Sequence, residues 1–308
     1  MKSFLIKLTV FLVIIFVVDH LSGRVMGYIY NNTTKGDYGR SNYICKHINQ
    51  DILIFGSSRA IHHYDPTILK EKLGMTCYNC GEDGMGIICS YGRYSMIKQR
   101  YNPKLIIYDI EVAYDVLKDD NTRYLGFLRP YYEEPGIDSI FYRVSPNERF
   151  KMMSHLYRYN SRWLDIVAQH RSKSSLLAKD YTYSPLKATL NYEPERYIYP
   201  EDSDCDSLKL YYLERFIKDC ESNGTKVIFT ISPVYGETYN KLLRSFADIC
   251  VKHQIPLFDH FADKIFSLKR DLFKDKKHLN DRGAKLYSEM IAEEVADTIA
   301  NDLAIIHE

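Results

Sequence analysis

Charge of one sign is what this chain most plainly lacks. Its 41 Lys and Arg face 40 Asp and Glu, a net charge of +1 over 308 residues. No basic stripe appears, which removes nucleic acid from the expected partners. Paired metal-ligand motifs are missing too. Cys77 and Cys80 form one C-x-x-C, yet no second C-x-x-C or nearby histidine pair completes a zinc site. The seven cysteines are an odd number, so at least one stays unpaired within a monomer. Most of them read as small buried hydrophobes, although an exported chain could pair Cys45 with another. There is no internal repeat, no low-complexity tract and only one tryptophan.

What is present suits a full globular core. Apolar residues make up 45% and charged residues 26%, enough for one large domain or one domain with an insertion. Tyrosine is abundant, at 27. A flat ring with a polar tip suits carbohydrate or membrane-interface surfaces, but such rings fill cores as well, and core packing is the favoured reading.

The long apolar run is Met1–Val18, which Lys2 and Lys7 flank or interrupt and Asp19 ends. Nothing is charged between Thr9 and Val18. That is short for a span of about 20 residues but enough for a signal-peptide core. No small-x-small cleavage site follows closely, and no cysteine follows to accept a lipid. An uncleaved anchor over residues 1–30 is therefore expected, running on towards Met26–Tyr30, with Lys2 and Lys7 on the cytoplasmic side. Residues 31–308 would then lie outside the cytoplasmic membrane. The alternative is a cleaved signal peptide.

From Asp51 onward strand-like and helix-like runs alternate. Ile52–Phe55, Met75–Asn79, Leu105–Ile110, Lys226–Ser232 and Ile255–Phe261 read as strands. Pro66–Leu73 reads as a helix capped by Asp65 and stopped by Gly74. Helical patterns follow at Ile87–Gln99, Leu208–Ser222, Glu237–His253 and Arg282–Ala300. This alternation predicts an α/β fold, a doubly wound parallel sheet of about five strands with helices on both faces. Residues of about 116–207 break the rhythm, with helices around Pro146–Tyr157 and Ser161–His170. They read as an insertion between the third and fourth strands, either a lid over the crevice or a packing appendage.

Two short segments carry the chemistry. Asp51–Arg59, DILIFGSSR, is a buried strand that stops at Gly56 and presents Ser57 and Ser58 in a tight turn. Phe273–Gly283, FKDKKHLNDRG, places Asp275 three residues before His278, just ahead of a helix. Serine, histidine and carboxylate are the parts that activate a hydroxyl nucleophile, because serine needs a base and the base needs a group that fixes its tautomer. Alone, Ser58 also reads as a capping serine and Asp275 as a solvated acid in the charged run Lys274–Lys277. His62 and His63 are rival bases, set aside for their closeness to Ser58, with one of them expected to face solvent. Arg59 reads evenly as a ligand contact or a tether for a neighbouring acid. Asp109 and Glu111, at the end of the third strand, read as substrate contacts or as strand-end polar residues.

With Gly56-Ser57-Ser58-Arg59 after the first strand, Asn79 to Gly84 after the second and Asp275-Lys276-Lys277-His278 before the last helix, the chain resembles the SGNH/GDSL hydrolase superfamily. Within it, the resemblance is to membrane-anchored members that transfer acyl groups to cell-envelope polymers. It covers about residues 50–115 and 225–300. It implies a flavodoxin-like sheet, Ser58 as nucleophile, His278 as base and Asp275 as its orienting carboxylate. It also implies an oxyanion hole from the N–H groups of Ser58 and Gly84, with Gly81 as the fallback for Gly84. Ser57 stands where the family has an acidic residue. The third block departs from the pattern: Glu111-Val112-Ala113-Tyr114-Asp115 follows Ile110, with no Gly-x-Asn-Asp, so the Asn donor is missing. The resemblance implies an enzyme without metal or organic cofactor that passes an acyl group, such as acetyl, to an envelope glycan. The expected partners are that glycan, the membrane through the N-terminal helix, and a membrane protein that supplies the acyl group. A carbohydrate esterase and a non-catalytic polysaccharide-binding or assembly subunit are the alternatives.

Overall fold

In a computed structural model, residues 1–173, 177–180 and 183–306 are described, with side chains as far as 300. They divide into two compact units. One holds Met1–Ile48, Gly92–Gln99 and Asn121–Tyr181; the other holds Asn49–Tyr91, Arg100–Asp120 and Thr182–Glu308.

The second unit is built on a sheet of five strands: β1 (Ile52–Gly56), β2 (Cys77–Asn79), β3 (Leu105–Asp109), β4 (Lys226–Ile231) and β5 (Leu257–Asp259). Their order is β2-β1-β3-β4-β5 and every pairing is parallel. This is the flavodoxin-like order, in which ligands bind outside the carboxyl ends of the strands at the point where the winding reverses. The strands read as continuous apolar runs because both faces are covered. Side chains alternate faces along a strand. Ile52, Ile54, Leu105, Ile107 and Ile228 therefore share a core with Tyr287, Ile291 and Val295 of the closing helix, Asp281–Ile306. On the other face Phe55, Tyr108 and Phe229 form a chain of rings with Phe216 of the helix Ser207–Ser222 and Phe246 of the helix Arg244–Lys252.

Local signals place the smaller elements. Asp65 accepts from Thr67 N at 2.9 Å at the start of the helix Pro66–Leu73, and Gly74 ends it in the left-handed region at φ 66°. Register pairs Gly56 with Asp109, and Asp109 with Thr230, so three strands end side by side. In the first unit one helix runs unbroken over Lys2–Asn31. It is long and apolar enough to cross a membrane. Asp19, Gly23 and Gly27 lie along its docked face: the Asp19 carboxylate accepts from His155 N at 2.8 Å, and a Cβ on Gly23 would meet the His155 side chain at 2.3 Å.

Cys45, Cys80, Cys89, Cys220 and Cys250 are buried, and Cys77 and Cys205 are partly buried.

Candidate active site

The site begins at Gly56. Its φ is +136°, and a Cβ there would lie 2.5 Å from Asp109 O and 2.9 Å from the Ala60 side chain. The turn leaving β1 passes so close to the end of β3 that only glycine fits. Ser57 follows, fully buried, and Ser58 opens the short helix Ser58–His63. Across the sheet edge, the loop from Phe273 to Asn280 folds back on itself. Phe273 bridges Leu279, and Lys274 N donates to His278 O at 2.9 Å. Phe273 and Leu279 are both buried, which pins the loop's ends and leaves its tip at the rim.

At that tip the residues from the two ends of the chain meet. His278 Nε2 lies 2.9 Å from Ser58 Oγ, and His278 Nδ1 lies 2.9 Å from both oxygens of Asp275. A carboxylate can only accept, so Nδ1 carries the proton. Nε2 is left as an acceptor for the Ser58 hydroxyl. Asp275 Oδ1 also accepts from Lys277 N at 2.9 Å and His278 N at 3.0 Å, which sets the turn between the two residues. Partial burial pushes the Asp275 carboxyl up. The hydrogen bond and charge of His278 and the two backbone N–H groups outweigh it and hold the carboxyl below its ordinary range.

A buried polar strut, which sequence reasoning missed, holds the His278 loop from behind. Ser232, just past β4, donates Oγ–H to Asp109 at 2.8 Å and N–H to the same carboxylate at 2.9 Å. Its Oγ then accepts from His63 Nδ1 at 2.9 Å. His63 Nε2 in turn accepts from Leu279 N at 3.0 Å. Every donor in this chain has one assignment, so His63 is neutral with its proton on Nδ1. Burial, with His278 and Arg59 nearby, drives its pKa well below the ordinary histidine value. The only trace of this strut in the sequence is a histidine doublet and a serine at a strand end. Neither histidine faces solvent: His63 is fully buried, and His62, 9% exposed, bonds Ser184 O at 2.6 Å and lies 3.1 Å from Asp83. Both rings lie edge-on to His278, with centroids 5.9 and 6.1 Å away.

The remaining expected contacts divide. Asp109 is fully buried and committed to Ser232, so it serves the scaffold rather than a ligand; burial raises its pKa against the pull of Arg59. Arg59, 3% exposed, donates to Ser232 O at 3.2 Å and to Ile110 O, with Nε 3.9 Å from Glu111. The tether reading of Arg59 fits this better than the ligand reading. Glu111 is the residue at the rim. It accepts from Ser57 Oγ, and Lys277 Nζ lies 3.7 Å away. Its backbone N–H is held by Asp115 at 2.8 Å, a carboxyl that burial pushes up to about 7. Ser57 therefore does more than shape the turn. It ties the turn after β1 to Glu111, just past the end of β3. Gly84 sits at φ +67° in a turn whose Glu82 N donates to Gly56 O at 3.1 Å, which ties the loop after β2 to the end of β1. Gly81 N is taken by Asn79 Oδ1 at 2.9 Å.

Beside this constellation a cleft opens between Glu111, Lys277, Val234, Phe261, Tyr197 and Tyr199. Tyr197 packs edge-on against Tyr199 with centroids 5.0 Å apart, and both come from the last stretch of the expected insertion. Among the described residues, no group of three His, Cys, Asp or Glu side chains is placed to hold a metal ion.

No family model matches the chain, and no curated protein does. Among solved structures it is similar to a protein described as lipolytic and of the G-D-S-L family, from Desulfitobacterium hafniense DCB-2. The two share 11% identity and a TM-score of 0.37, over 79% of this chain and 98% of that one. So faint a likeness adds nothing to what the five parallel strands themselves show.

Proposed function

We propose that the protein is a serine-dependent acyl-ester enzyme of esterase type. The observation that carries this is the hydrogen-bonded series Asp275–His278–Ser58 at the carboxyl edge of a parallel sheet. Ser58 Oγ attacks the acyl carbonyl while its proton passes to His278 Nε2. His278 then protonates the departing alkoxide, leaving the acyl group on Ser58. A second hydroxyl attacks that ester, gives its proton to His278, and the proton returns to Ser58 Oγ. Asp275 holds the ring and stabilises the imidazolium at each stage. The N–H groups of Ser58 and Gly84 are assigned to the oxyanion. A missing third donor has a cost: one oxyanion donor is typically worth about 10²–10³ in rate. Slow turnover of small esters is the expected outcome.

The finer reading is acyl transfer to a glycan of the cell envelope, with water as the competing acceptor. Two features support it. An N-terminal membrane anchor would concentrate the chain where lipid-linked glycans and a membrane acyl donor are found, and the cleft at Glu111 carries tyrosine rings of the kind that suit sugars. Labelling with a fluorophosphonate probe and peptide mapping tests the nucleophile. Label should fall on Ser58 and vanish in Ser58→Ala, while Ser57→Ala keeps some of it. Full activity in Ser58→Ala would overturn the assignment. A small activated ester with and without an oligosaccharide acceptor then separates transfer from hydrolysis. A probe that never labels the folded protein would instead favour the non-catalytic assembly subunit, the reading that the absent Asn donor supports.

A further inference from the structure

The helix Lys2–Asn31 is long enough to cross a bilayer, but its uncharged stretch is shorter than the hydrocarbon layer. Between Lys7 and Asp19 lie eleven uncharged residues, about 17 Å of helix at ~1.5 Å per residue. A hydrocarbon core is about 30 Å thick. At the N-terminal end Lys2 and Lys7 can reach out to headgroups on long side chains. At the other end stands Asp19, whose short side chain cannot.

The fold deals with Asp19 in another way. Its carboxylate accepts from Ser154 Oγ, from His155 N at 2.8 Å and from Leu156 N at 3.3 Å. The charge is thereby solvated by the protein, and the segment 150–156 is fastened at the level where the apolar run ends. His20 and His155 pack edge to face there, 4.4 Å between centroids. On this fastened segment Phe150 is 68% and Met153 76% exposed, with Leu156 also exposed. Leu21 and Val25, on the part of the helix just past Asp19, are exposed as well. Exposed apolar side chains on segments that also carry exposed Arg24, Arg149 and Lys151 suit neither free water nor the hydrocarbon interior; they suit the headgroup layer of a bilayer.

We infer that Phe150–Leu156, together with Leu21 and Val25, forms a collar seated in the headgroup region of the membrane that the helix Lys2–Asn31 crosses. Lipid is its partner. The collar supplies the apolar length that the uncharged stretch lacks, and Arg24 and Arg149 meet lipid phosphates. The inference rests on the helix being a membrane span, and it is independent of the chemistry at Ser58.

The chain's single tryptophan makes a direct test possible. In full-length protein in liposomes, Trp163→Phe silences the native fluorophore and Met153→Trp places one in the collar. The expected result is a blue-shifted emission, quenched when the lipids are brominated near the headgroup end of their acyl chains and shielded from aqueous iodide. A water-like emission, quenched by iodide and untouched by bromolipid in protein that resists carbonate extraction, would overturn the collar alone. Release of the protein by carbonate would overturn the span, and the collar with it. Met153 is mostly exposed, so its replacement leaves packing undisturbed.

Discussion

Asp275 is held charged and His63 neutral, and acid works against both, each in its own pH window. Asp275 has its pKa lowered by the groups around it, so its stabilising contribution is present above the ordinary carboxylate range and is lost as pH falls through its folded value. His63 is held neutral. An unfolded histidine takes up a proton near pH 6.5 and the folded one does not, so stability drops as pH falls below about 6.5, by up to about 1.4 kcal/mol per pH unit. Denaturation between pH 7 and pH 5 should show this slope, and His63→Gln should flatten it while lowering stability at pH 7. An unchanged slope would show that another group titrates. For Asp275→Asn we expect a loss of about 10³–10⁴-fold in ester turnover, because the amide can no longer fix the Nδ1–H tautomer. Circular dichroism should stay native, and steady-state rates will check it. Ser58, Asp275 and His278 were legible because each sits in a short local pattern. The strut from Asp109 through Ser232 to His63 and Leu279 was not. Its hydrogen bonds join residues 123, 169 and 216 positions apart, and nothing in any one segment signals the partner.

Glycines show how an element's ending governs what a substitution does. Gly74 has a positive φ of 66° with open space around it, so Gly74→Ala should cost only about 1 kcal/mol, the ordinary strain of a left-handed residue. Gly56 has both a positive φ and a backbone oxygen 2.5 Å from any Cβ. Gly56→Ala must therefore push β1 and β3 apart where Ser57 and Glu111 join, and it should abolish fluorophosphonate labelling as well as lower the melting temperature. Equal melting and labelling in the two variants would contradict this. Element boundaries followed the sequence where caps were explicit, as at Asp65 and Gly74. They departed from it where side chains drew the backbone elsewhere. A helix expected from Glu237 begins only at Arg244. Glu237 is engaged by Lys276 at 2.8 Å and Tyr199 at 2.9 Å, and Asn240 donates to Asp259 at 2.8 Å, so this stretch is held in irregular form.

For the molecule as a whole, alternating strands and helices were enough to foresee a parallel, two-faced sheet, because only that arrangement covers strands apolar on both sides. The apolar helix predicts retention in membranes after carbonate washing, and a reporter active only outside the cytoplasm, fused after Glu308, should be active. A soluble mature chain beginning near Gly23 would instead mark a cleaved leader. One feature of the site bears on time rather than space. Ser58 and His278 are 220 positions apart, and every strand pairing is parallel, so no hairpin brings them together early. A chain that has formed its central strands but not yet seated the segment from Phe273 to Asn280 holds a serine without a base. During refolding, the onset of probe labelling should therefore lag the recovery of helical signal, and catalytic competence becomes a clock for the last docking event rather than the first collapse.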